Sequence, residues 1–249
     1  MPDEPGQLRL LDDLPPRADP PRTRLAVTGL VTYARCPRQC YWDVVERRPR
    51  PLRPAARIGS LVHGWIEREA AGQGSLLEAS DEPDPWIAEL KAAFLASPWA
   101  RRRPRAVERP FVLSTGAATV RGRVDAMYGV DDLGGPGGGL EIVDFKTGRR
   151  PGADDAGAGF QLGVYALAAV ECWGREPEEL RTTEWYVREG GGVTRDWDRA
   201  AVDAVRVRLA AVLDGVAAGR FGPLPGSYCG RCVHVAACPE GQAATAGDG

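Results

Sequence analysis

A chain of 249 residues with 43% hydrophobic residues can bury a substantial core, and it fits one large domain with short appendages. A formal net charge of −2 and an isoelectric point near 5.8 exclude a global electrostatic drive toward nucleic acid or anionic membranes, so any polyanion site has to be local. No apolar run of about 18 residues occurs, and the start, MPDEPGQLRLLDD, is acidic and Pro-rich, so the expectation is a cytoplasmic protein with no membrane partner.

In chain order, residues 1–23, with LPPRADPPR, read as a flexible Pro-rich lead or linker, residues 24–239 as the folded domain and residues 240–249 as a disordered tail. Within the domain, IGSLVHGWIEREA sets Ile58, Leu61, Val62, Trp65 and Ile66 at helical spacing. EPDPWIAELKAAFLAS predicts a second helix with Trp86, Leu90, Ala93 and Phe94 on one face. The period then changes: RPFVLS, ATVRGRVDAMYGV and LEIVDFKTG are short apolar or alternating runs joined by Gly-rich turns, which predicts adjacent antiparallel strands. GFQLGVYALAAVECW returns to helical spacing, TTEWYVRE reads as a strand, and DRAAVDAVRVRLAAVLDGVAAG closes the domain as a long amphipathic helix. This order predicts an α/β fold with a mixed central sheet flanked by helices.

Chemistry enters at LEIVDFKTG. Of 32 basic residues only Lys91 and Lys146 are Lys, and a Lys ammonium is a point charge whose pKa responds to its surroundings, unlike an Arg guanidinium. In a strand Asp144 and Lys146 project from one face with Ile142, while Glu141, Val143 and Phe145 project from the other. On its own this is equally an ordinary surface ion pair. Asp125, in the preceding strand just before the turn that leads to Asp144, brings a second carboxylate toward the same point. Converging oxygens suit a hard cation such as Mg2+ or Mn2+, and Lys146 is placed to orient or deprotonate a water, which points to metal-assisted phosphodiester hydrolysis. His63, on the helix face shared by Gly59 and Glu67, is either a satisfied helix histidine or a third ligand.

These residues carry a resemblance. G-x-x-x-H (Gly59, His63), G-R-V-D (Asp125), D-F-K-T-G (Asp144, Lys146) and Q-x-x-x-Y (Gln161, Tyr165) stand in the order seen in the RecB-like branch of the PD-(D/E)XK nucleases, over nearly all of residues 24–239. The resemblance implies a restriction-endonuclease-like core. It implies a metal site of His63, Asp125, Asp144 and the Phe145 backbone carbonyl, with Lys146 catalytic and Gln161 and Tyr165 positioning Lys146 and the scissile strand.

The cysteines extend it. Cys229, Cys232 and Cys238 form C-x2-C-x5-C, and Cys36 and Cys40 stand near the other end of the chain. Spacing alone makes a four-Cys zinc site the default, with His234 a possible ligand. One early Cys followed by Pro and three late ones instead resembles the staple of the AddB, AdnB and CRISPR-associated RecB-like exonucleases, where a 4Fe-4S cluster ties the domain ends together. The ligands so implied are Cys36, Cys229, Cys232 and Cys238. Cys40 competes with Cys36, and Cys172, on an apolar helix face, is expected in the core. The runs 101–105 and 46–57 offer arginines for phosphates, and Tyr41, Trp42 and Trp99 are either stacking platforms for unpaired bases or core.

What the resemblance implies is a Mg2+- or Mn2+-dependent DNA nuclease, an exonuclease on single strands or ends, working in repair or recombination with a helicase. Its alternatives are a CRISPR adaptation exonuclease of the same branch and a non-catalytic DNA-binding module stabilised by the cluster.

Overall fold

The run ATVRGRVDAMYGV forms β3 (Ala118–Val130), and the sheet is assembled on it. In this computed structural model, residues 23–49, 54–72, 84–115, 118–133, 138–150, 157 and 159–246 are described. Strand β3 takes β1 (Thr23–Ala26) in parallel at residues 118–121, β2 (Ala106–Thr115) antiparallel along residues 118–127, and β4 (Gly139–Lys146) antiparallel at residues 126–130. Strand β5 (Leu180–Tyr186) runs parallel to β4, and β6 (Gly191–Asp196) closes the far edge antiparallel to β5. The result is a mixed six-stranded sheet, as the pattern of strand and helix runs predicts.

Helices cover both faces. Near the N-terminus α1 (Val27–Arg35) and α2 (Pro37–Cys40) lead into a π-helical turn at Tyr41–Val45. Then come α3 (Pro54–Ala70), α4 (Pro85–Ala96), α5 (Phe160–Trp173), α6 (Arg199–Ala217) and α7 (Pro239–Ala246). One core joins α1, α5 and α6 to the sheet through Leu30, Val164, Leu209 and Ile142. The other joins α3 and α4 through Val62, Trp65, Leu90, Phe94, Val143 and Phe145. Strand β4 is therefore covered on both faces, and all of its residues but the terminal Lys146 are buried, the charged Glu141 and Asp144 among them. Each large apolar side chain buried in these cores contributes about 1.5–3 kcal/mol relative to exposure.

Two helix faces sit slightly rotated from the sequence reading. On α4 the buried stripe is Ile87, Leu90, Lys91 and Phe94, spaced i, i+3, i+4, i+7, and Trp86 falls one residue outside it at 46% exposure. The cap explains the start of this helix: the Asp84 side chain accepts from the Trp86 and Ile87 amides, and Pro85 occupies the first position. On α3, Leu61 is likewise exposed while Val62, Trp65 and Ile66 are buried. Lys91, the second lysine, is buried with its ammonium 5.5 Å from the Trp65 ring centroid.

Two further expectations are corrected. Residues 240–246, read as tail, are helical: the α7 backbone begins with Gln242 N–H donating to the Cys238 carbonyl, and Glu240 pairs with Arg38 at 2.6 Å. Residues 1–22 and 247–249, the lead and the chain end, lie outside the described residues. Cys172 is exposed, because on the last turn of α5 it lies over the solvent-exposed part of β2, where its thiol donates to the Val112 carbonyl at 3.4 Å. Trp42 and Trp99 belong to the interior, and Tyr41 packs on Phe221 with ring centroids 5.1 Å apart. Within the basic run, Arg102 is structural, donating to Glu141 at 2.9 Å and to the Gly129 carbonyl at 3.0 Å. Among the described residues no helix is long and apolar enough to cross a membrane.

Candidate active site

A row of carboxylates crosses the sheet. Asp144 on β4 is the register partner of Glu184 on β5. The Ala126–Val143 pair sets Asp125 on β3 beside Asp144, and the pairs on either side of Glu108 set it beside Asp125. Side chains at matched register share a face, so these four project together.

Helix α3 closes over the row. A Cβ on Gly59 would stand 2.9 Å from Thr147 Oγ1, so glycine is what lets the helix approach the end of β4 this closely. One turn later His63 places Nδ1 3.5 Å from Asp125 Oδ2. The same Asp125 oxygen accepts from the Phe145 amide at 2.8 Å, which fixes the carboxylate against β4.

On the other side Lys146 Nζ lies 2.5 Å from Asp144 Oδ2. Helix α5 then supplies two residues four apart. Gln161 accepts from Lys146 Nζ at 2.8 Å and donates to Asp144 Oδ1 at 2.8 Å and to Tyr165 Oη at 2.6 Å. Tyr165 in turn donates to Asp144 Oδ1 at 3.3 Å. The structure thus brings Asp125, Asp144, Lys146, Gln161, Tyr165, His63 and the Phe145 backbone into one site.

Residues 24–239 match the model of the PD-(D/E)XK nuclease superfamily. The chain belongs to that superfamily. Among curated proteins it is similar to the Gene 69 proteins of Mycobacterium phage L5, 33% identical over 144 residues, and Mycobacterium phage D29, 33% identical over 139 residues. Each match spans 54% of this chain and only 44% and 48% of those proteins. Among solved structures, SSO0001 aligns with a TM-score of 0.50 at 16% identity over 90% of both chains. A protein from Eubacterium rectale described as a candidate exonuclease aligns with a TM-score of 0.50 at 11% identity, over 80% of this chain and 82% of its own. These two likenesses concern the fold.

The electrostatics of this PD-(D/E)XK site favour added positive charge. Burial, and then the Asp144 carboxylate, push the Asp125 carboxyl up to about 8, against a lowering pull from the Phe145 amide. Burial lowers the His63 imidazole below its ordinary value. For Lys146 burial acts downward, but Asp144 outweighs it and the ammonium is held above its usual value. Asp144 Oδ2 is buried and no donor meets it at a hydrogen-bonding angle, despite the nearby ammonium. A buried, under-satisfied carboxylate oxygen beside a second carboxyl starved of positive charge is what a divalent cation would satisfy, so the donor set fits one. The site stands as two halves, His63 with Asp125 and the Lys146 ammonium with Asp144. Among the described residues no three His, Cys, Asp or Glu side chains are gathered into a closed ligand set.

Two site residues escape a sequence reading. Glu108 adopts φ +49, a left-handed conformation rare outside glycine and costly inside a strand, and its carboxylate pairs with the Arg123 guanidinium. The strand run read from sequence begins at Arg109 and so excludes it. Glu184 is buried and accepts from the Tyr186 hydroxyl at 2.9 Å, and its charge helps hold Lys146 protonated. Its place beside Asp144 depends on the parallel register, which no local pattern encodes.

Of the cysteines, Cys36, Cys229 and Cys232 lie near one another, although among the described residues no group of three Cys, His, Asp or Glu side chains is placed to hold a metal ion. Cys36 and Cys229 are buried together with Tyr228. Burial raises the Cys232 thiol, and both Cys36 and Cys229 act on it. The late cysteines accept backbone N–H groups: Cys229 from Gly226 at 3.4 Å, Cys238 from Gly241 at 3.4 Å, and Cys232 from His234. Cys40 points elsewhere, donating to the Gly29 carbonyl at 3.5 Å, with its thiol pushed up to about 11 by burial. His234 places Nε2 2.8 Å from Asp43 Oδ1.

Proposed function

We propose that this chain is a divalent-cation-dependent DNA nuclease of the RecB-like branch, hydrolysing phosphodiester bonds as an exonuclease on single strands or ends, in DNA repair or recombination beside a helicase. The observation that carries the reading is the Asp144–Lys146 pair held from both sides by Gln161, with Asp125 across the strand. Mg2+ or Mn2+ held by His63, Asp125, Asp144 and the Phe145 carbonyl would supply Lewis acidity at the scissile phosphate.

The chain's own residues do the rest. Lys146 presents a protonated amine whose position is set by Gln161 Oε1, ready to donate to a phosphate oxygen or to orient the attacking water. Tyr165, kept protonated by burial, donates to Asp144 and holds that carboxylate in place. A 4Fe-4S cluster on Cys36, Cys229, Cys232 and Cys238 would tie α7 and the C-terminal turns to the start of α2. The N–H groups aimed at three of these sulfurs support that reading, because such bonds stabilise thiolate ligands.

A time course on end-labelled single- and double-stranded DNA, in Mg2+, in Mn2+ and in EDTA, tests the proposal. Cation-dependent release of short products from single strands is expected. No cleavage of either substrate in either cation would overturn it.

A further inference from the structure

Beside the active site lies a cavity of about 380 Å³ that the catalytic set does not use. Thr147 and Arg149 line it, immediately after Lys146, and Ile58 and Leu90 give it an apolar floor. Trp86 forms one wall with 46% of its surface exposed, although it is among the largest side chains in the protein. Arg188, just beyond the end of β5, stacks its guanidinium 3.7 Å from the Trp86 ring centroid.

Arg188 is poorly served where it stands. Its Nε and Nη2 atoms are buried and find no hydrogen-bond partner among the described residues, and the Glu89 carboxylate is 3.8 Å from Nε. Desolvated guanidinium donors without acceptors are costly, and the stacking contact with Trp86 offers them none. Among the described residues no acidic side chain lines the cavity, and Arg149 adds a second cation. The cavity therefore combines a partly exposed indole, an apolar floor and two arginines, and it borders the residues that directly follow Lys146.

We propose that this cavity is a nucleotide subsite for a single DNA strand, next to the scissile phosphate. An unpaired base stacks against Trp86, and the adjoining phosphate pairs with the guanidinium groups of Arg188 and Arg149. A base held in a duplex cannot turn into it, so the subsite selects unpaired strand. The inference rests on the nuclease reading above for where the strand runs.

The test is an abasic scan. Short single-stranded oligonucleotides, each lacking the base at one position, are bound in EDTA and separately cleaved in Mg2+. For the unaltered protein one position near the scissile bond should lose about tenfold in binding when its base is removed, the scale of one base–aromatic stack. Trp86→Ala should bind the intact strand about tenfold more weakly and lose that positional penalty, and Trp86→Phe should restore both. Arg188→Ala should weaken all the oligonucleotides alike and reduce the salt dependence of binding by about one ion. If Trp86→Ala binds within about twofold of the unaltered protein and keeps the same abasic penalty, the subsite is wrong, while cleavage by the unaltered protein leaves the nuclease reading standing. If the protein binds but never cleaves, the nuclease reading falls and the binding scan alone decides the subsite. If it binds no single strand, both fall.

Discussion

Gln161 donates to Asp144 Oδ1 at 2.8 Å through the same amide whose oxygen accepts from Lys146 at 2.8 Å. One neutral side chain thus fixes the geometry between a carboxylate and an ammonium, and the orientation of its amide is determined by those two partners. Because it carries no charge to hold a cation, its loss should loosen Lys146 rather than empty the site. Gln161→Ala is expected to slow single-turnover cleavage by about 10- to 100-fold, with the Mg2+ concentration for half-maximal rate unchanged. A large shift in that concentration would place Gln161 among the metal ligands.

Removing the charges themselves should do more. Lys146→Met keeps the length of the side chain and deletes the ammonium, leaving Asp144 buried without its counter-charge. Cleavage should fall by at least about a hundredfold, while the metal-free protein loses about 3–5 kcal/mol of stability as the surviving buried carboxylate is left unpaired. Asp144→Asn should abolish cleavage with a smaller stability cost, since the isosteric amide relieves that charge. Single-turnover assays and urea unfolding on both variants check the pair, and near-normal cleavage by either would remove the Asp144–Lys146 pair from the mechanism.

How much of this was legible in the sequence depends on range. The Asp144–Lys146 side-by-side placement follows from the two-residue repeat of a strand, and the Gln161–Tyr165 alignment from the four-residue step of a helix, so both could be read locally. The convergence of Asp125 with Asp144 is also near to local, because one short turn joins their strands. Glu184 and Glu108 needed the register of β5 and β2, which depends on how the whole sheet assembles. Trp86 was placed on the wrong face because periodicity marks a stripe without fixing its edges, and the Asp84 cap and the pull of Ile87 into the core set the rotation. Strand β6, GGVTRD, is exposed along most of its length and has no apolar alternation to betray it.

The raised Asp125 carboxyl makes a pH prediction. Its folded value, about 8, exceeds its value in the unfolded chain, so the folded state binds more protons and the group's contribution to stability is lost as pH rises toward 8. His63 works oppositely: lowered in the folded state, it costs stability only below its ordinary value of 6.5. Between about pH 6.5 and 8 the Asp125 effect therefore acts without that opposition. In EDTA the melting temperature should fall across this window, and in Mg2+, which binds the ionised carboxylate, the fall should shrink or vanish. Asp125→Asn should flatten the EDTA profile. Thermal scans at several pH values check this, and a flat EDTA profile for the unaltered protein would contradict it.

The cysteine locus makes the last prediction, and it is independent of catalysis. Cys36 stands at the start of α2 and Cys229, Cys232 and Cys238 near the other end of the chain, so ligation by all four would close a loop spanning nearly the whole domain. Metal binding would then be part of the folding free energy and the cluster a staple rather than a redox catalyst. Protein purified without oxygen should be brown and carry about four irons per chain. Cys36→Ala should lose the colour and become protease-sensitive near both ends of the domain. Cys172→Ala should keep the colour, because that thiol lies exposed at the far end of α5. Cys40→Ala should keep it too, since its sulfur is turned toward the Gly29 carbonyl. If Cys40→Ala bleaches the protein and Cys36→Ala does not, the first ligand is Cys40 and α2 must turn to present it. Colourless protein with one zinc per chain would replace iron–sulfur by a thiolate zinc site on the same cysteines, and the Asp144–Lys146 predictions would stand unchanged.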